Sequence, residues 1–139
     1  MSFREKLDWI ALVSTLAIWG FYFLRLTSGH AAGIPAEAFT GLMVRCLVLS
    51  VIVQVTLVSI VAARSPKEAD APADERERMI ELTSIETAFY VLAGGEIVAA
   101  LGAAFGADVL QVVNAILAAL VMAEVVRAVR QILQLRQAG

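Results

Sequence analysis

Four apolar runs, at about residues 9–26, 41–63, 85–105 and 109–126, alternate along the chain with charged or helix-breaking stretches. Each approaches the ~20 apolar residues that a helix needs to cross a bilayer core. The second contains eighteen consecutive uncharged residues from Cys46 onward. The pattern predicts an all-α, integral membrane four-helix bundle built from two hairpins, a single domain over residues 1–139. Between the first two runs, residues 27–35 carry Gly29, Gly33 and Pro35 and predict a loop. Only Gly106, Ala107 and Asp108 separate the last two, which predicts a tight turn.

Composition strengthens this picture: 60% of residues are hydrophobic and only 17% charged, against roughly 45–50% apolar residues in soluble domains. The lipid bilayer is therefore the first expected partner. With both termini in the cytoplasm, Arg4, Lys6, Arg64, Lys67, Arg76, Arg78, Arg127, Arg130 and Arg136 lie inside and only Arg25 and Arg45 outside. That asymmetry is the positive-inside bias, and it predicts a multi-pass protein of the bacterial inner membrane, N-in and C-in. The first run has the basic start of a signal peptide, but Glu5, Asp8, Arg25 and two tryptophans fit one poorly, so it is read as a retained span.

Residues 64–84 form a cytoplasmic linker and helix projection. Pro66 and Pro72 break the linker, after which Asp74 is placed to cap a helix whose first turn holds Glu75 and Glu77, facing the positive end of the dipole. From Asp74 to Phe105 such a helix runs about 48 Å at roughly 1.5 Å per residue, so two or three turns project beyond a hydrocarbon core of about 30 Å. The fourth run continues past Val126 with Arg127, Arg130 and Arg136 interleaved with Ile132, Leu133 and Leu135, an amphipathic tail. Either a solvated, salt-bridged stalk or a docking face follows from this. The docking reading assigns Asp74, Glu75, Arg76, Glu77, Arg78, Glu81, Arg130, Ile132 and Leu135 to a cytosolic protein partner.

With Asp74-Glu75-Arg76 followed by Ile80-Glu81 ahead of the third span, the chain resembles small prokaryotic four-span membrane proteins of unknown function with an Asp-Glu-Arg-rich cytoplasmic loop. Some small multi-span proteins of that outline restrain a cytosolic regulator, which the resemblance implies as an expectation here. It implies no catalytic residues.

Glu96 stands near the middle of the third span, where an ionisable group is unfavourable unless paired or hydrated. It is expected to face the bundle interior. Counted from the outer helix ends, Arg45 lies about 7 Å deep, Asn114 about 9 Å, Glu96 about 15 Å and Gln54 about 21 Å, at roughly 1.5 Å per residue. These four are predicted to form one intramembrane polar network, with Glu96 paired to Arg45 or hydrogen-bonded to Gln54 and Asn114. Small residues at four-residue spacing, Gly95, Ala99, Gly102 and Gly106 on the third span and Ala115, Ala119 and Ala123 on the fourth, let helix backbones approach closely. They serve the hairpin or, as the other use, a homo-oligomer.

The net charge of −2 argues against direct nucleic-acid binding. One cysteine, Cys46, and one histidine, His30, predict neither a disulfide framework nor a metal site, and no cofactor motif is present. The expected function is non-enzymatic: an inner-membrane protein that binds a partner, restraining a regulator. The alternative is a small proton-coupled transporter or channel subunit that depends on Glu96.

Overall fold

The computed structural model describes residues 1–138, with side chains through Gln137. The first helix, α1, spans Phe3–Ala31 and starts where the Ser2 hydroxyl accepts from the Glu5 N–H at 3.2 Å. It runs past the expected loop boundary: the Thr27 hydroxyl bonds back to the Phe23 carbonyl within the helix, and helical Gly29 packs against the Phe39 ring where a Cβ would clash. His30 therefore ends a helix instead of standing in a loop. The stop comes at Gly33, whose φ of 78° suits glycine and brings the Ile34 N–H to the Gly29 carbonyl at 2.8 Å.

After a short 3-10 turn at Ala36–Phe39, α2 covers Thr40–Arg64. Pro66–Ala69 makes one helical turn, α3, inside the expected linker. The next helix, α4, covers Glu75–Ala104, and its start is capped by Asp74, whose carboxylate accepts from the Glu77 N–H at 2.8 Å. The last helix, α5, covers Val109–Ala138. At the α4–α5 turn Gly106 adopts a φ of 93°, so it serves the turn and not the helix-packing stripe to which its spacing assigned it.

These are four helices long and apolar enough to cross a membrane, in a four-helix bundle. They pack in the order α2, α1, α5, α4, and the circuit stays open because α2 and α4 share no packed seam. Burial follows that order. A third of the apolar stretch of α1 is buried, against 6% for α2 and α4.

The reason lies in one face of α1: Glu5, Asp8, Leu12, Thr15, Trp19 and Tyr22 recur at alternating spacings of three and four and are all buried. That spacing is the seam of a helix packed nearly antiparallel to its neighbour. Leu12 meets Ala128 and Ile132 of α5, while Trp19 and Tyr22 meet Leu117 of α5 and Cys46 of α2. On the other side of α5, Gly95 lies against Ala119, with the Ala119 Cα only 3.3 Å from where a Cβ would stand. Ala99 and Ala123 are buried on the same two helices, whereas Ala115 and Gly102 are half-buried.

Candidate functional site

The densest chemistry sits at the end of the bundle where α1 and α4 begin and α5 finishes. The α1 seam starts with two carboxylates, and α5 answers with two guanidinium groups. Arg136 donates from Nε to Glu5 at 2.9 Å and also lies over the Trp9 ring at 5.5 Å. Arg127 forks onto Glu124 through Nε and Nη2 at 3.2 and 2.7 Å. Its remaining nitrogen, Nη1, reaches Gln131 at 3.2 Å and Asp8 at 3.5 Å. From the other direction Arg4 bridges to Glu77 and Glu81 of α4 at 3.2 and 3.4 Å, and Lys6 approaches Glu68 at 3.9 Å. Three helix ends are thus pinned together by ion pairs that cross elements.

The two buried acids experience opposite fields. Glu5 is held below the usual carboxylate range, chiefly by the Arg136 hydrogen bond, which outweighs its desolvation. Asp8 lies just outside the apolar run of α1, and burial pushes its pKa up to about 6, with Arg127 opposing and Glu124 and Glu81 reinforcing the rise. Its Oδ2 is buried with no partner among the described residues. The cause is geometric, since Arg127 commits its fork to Glu124, and that hydrogen bond is the main reason its own pKa rises.

Several residues expected to face a cytosolic partner are occupied here. Glu77 and Glu81 pair with Arg4, and Asp74 caps α4. Ile132 is a correction to that expectation: it is 4% exposed, packed on Leu12 and Ala128 in the bundle core. One residue along, Leu133 is 54% exposed, and with Val129, Arg130 and Gln134 it lines a shallow apolar surface on α5. Arg130 and Leu135 are half-buried, and Glu75, Arg76 and Arg78 are exposed. Met79 and Leu82 of α4 are exposed at the same end.

The expected intramembrane network does not assemble, and this too is a correction. Gln54 donates to the Thr15 hydroxyl at 3.3 Å, and the Tyr22 hydroxyl donates to Asn114 Oδ1 at 2.5 Å, so α1 separates the two amides. Glu96 faces outward from α4, because Gly95 and Ala99 hold the neighbouring arc against α5. Arg45 faces outward from α2, beside Phe21 and Leu49. Among the described residues neither has a hydrogen bond or ion-pair partner.

Sequence reasoning missed the buried polar face of α1. The signal was present in the three-and-four spacing from Glu5 to Tyr22, which continues without a break from charged to aromatic residues. A groove of about 360 Å³ opens between α2 and α5 over Thr15 and Trp19, with Ser50, Gln54 and Glu124 on its walls. Among the described residues no cluster of His, Cys, Asp and Glu is placed to hold a metal ion. No family model, no curated protein and no solved structure matches this chain.

Proposed function

We propose that this is a non-enzymatic, multi-pass protein of the bacterial inner membrane, with both termini in the cytoplasm, that presents its charged end to a cytosolic protein partner and restrains it. The observation that carries this reading is the juxtaposition at that end of rigidity and uncovered apolar surface. Ion pairs lock α1, α4 and α5 together, yet Leu133 stays 54% exposed and Met79 57% exposed. With the termini inside, the arginines at 127, 130 and 136 lie at or below the lipid headgroups, so Leu133 projects where lipid tails do not cover it. The nine-to-two distribution of basic residues supports the orientation.

The test compares the intact protein with Leu133→Glu, both purified in mild detergent from the native host after confirming equal membrane retention. The expected result is a cytosolic protein that co-elutes with the intact chain and is lost from the variant. Identical co-eluting proteins, or none with either, would refute the docking reading. For orientation, cysteine probes at Ser28 or Ala36 are expected to react with an impermeant reagent from outside, and probes at Ser65 or Gln137 are not.

The groove between α2 and α5 keeps a second reading in view, a small proton-coupled transporter. It moves the key carboxylate from Glu96, which faces away from the groove, to Glu124, which lines it. That reading requires a pH-driven flux in proteoliposomes that Glu124→Gln abolishes.

A further inference from the structure

Two opposite charges stand uncovered within the apolar spans. Glu96 lies eight residues from the end of α4 at Ala104, and Arg45 lies five from the start of α2 at Thr40. At roughly 1.5 Å per residue these are depths of about 12 Å and about 8 Å from the same end of the bundle. Hydrocarbon is a poor solvent for either group, and within one chain α1 and α5 stand between the two helices that carry them.

The faces around them are also complementary in shape. On α2, Arg45 is followed at spacings of three and four by Val48, Ile52 and Val55, each about half exposed or more. On α4, Glu96 is flanked at the same spacings by Ala93 and Ala100, small residues that let another helix approach. Where every copy shares one orientation in the bilayer, the bulky face of one α2 meets the small face of a neighbouring α4 at matched depth. Two like edges would instead place Glu96 opposite Glu96, or Arg45 opposite Arg45.

We propose that a second copy of this chain covers these edges, with Arg45 on α2 of one copy paired to Glu96 on α4 of the next. The contact is head-to-tail, so any open assembly keeps one free α2 edge and one free α4 edge, and association continues until a ring closes. It rests on the membrane reading above and not on the docking reading.

The test uses two differently tagged full-length copies in a Cys46→Ala background, one with Ile52→Cys and the other with Ala93→Cys, co-expressed and oxidised in native membranes. A cross-linked species carrying both tags is expected, with no Ile52→Cys pair joined to itself. Adding Arg45→Glu to the Ile52→Cys copy should abolish the mixed species. Adding Glu96→Arg to the other copy as well should restore it, which a pairing within one chain would not do. A protein that stays in carbonate-washed membranes but gives no mixed species, or one indifferent to the charge reversals, overturns the pairing and leaves the membrane reading standing. A protein that carbonate releases overturns both.

Discussion

Replacing Asp8 by Asn should remove a loss of stability that the intact protein suffers as the pH rises toward neutrality. Asp8 is 4% exposed, one of its oxygens has no partner among the described residues, and Arg127 is engaged more closely by Glu124 than by Asp8 itself. Its pKa stands at about 6 in the folded protein, against an ordinary value of 3.8. A group whose folded pKa is raised contributes stability that is full below 3.8 and is lost as the pH climbs through 6. At about 1.4 kcal/mol per pH unit, the loss between about pH 4.5 and neutrality is of order 2 kcal/mol. Glu5 acts in the other direction: its lowered pKa adds stability that disappears on acidification below its ordinary value of 4.5, outside this window. Denaturant unfolding in detergent, followed by the fluorescence of Trp9 and Trp19, measures the effect. Asp8→Asn should unfold with little pH dependence over that interval and be the more stable protein at neutral pH. A variant with the same slope as the intact protein would refute the account of Asp8 as an underserved carboxylate.

Three further outcomes follow from the packing and the side-chain hydrogen bonds. Gly95→Ala should destabilise the α4–α5 seam by about 1–3 kcal/mol through overpacking against Ala119, despite the better helix propensity of alanine, and a lowered unfolding midpoint would register it. Tyr22→Phe should cost about 1–3 kcal/mol, because the Asn114 carbonyl oxygen it serves is left without that donor in the bundle interior; the same unfolding assay should show a smaller loss for Thr15→Val, whose bond from Gln54 is longer.

The helices themselves were readable from the chain, because length and hydropathy suffice to mark an apolar helix, and Asp74 before Glu77 carries its own cap chemistry. The close approach at Gly95 was readable for a similar reason, since a missing side chain on a long helix has few other uses. What hydropathy does not encode is azimuth. Glu96 has a depth that counting finds, but the direction it faces depends on which arc of α4 the neighbour α5 takes, and the small residues one position away decide that. On α1, Glu5 and Asp8 are legible in the sequence only as residues foreign to a signal peptide, because the arginines that lie beside them, Arg127 and Arg136, come more than a hundred residues later. Ile132 and Leu133 make the same point within one turn, as adjacent apolar residues that differ by half their surface.

The central place of α1 also bears on how the molecule is made. Its polar seam is completed by residues that follow far behind in synthesis: Asn114 comes 92 positions after Tyr22, and Arg136 comes 131 after Glu5. At a typical 5–20 residues per second, the earliest helix waits roughly 5–25 s for these partners. During that interval α1 packs only on α2, and α4 on its arrival meets α1 through the Arg4 bridges to Glu77 and Glu81 and not through a packed seam. Until α5 packs between them, the α1–α2 hairpin and α4 are therefore held by those bridges, and α5 then bonds Glu5 and Tyr22 on one flank and accepts Gly95 on the other. Cellular machinery that shelters or degrades unfinished helices would read the completion of this bundle from a single event, the arrival of α5.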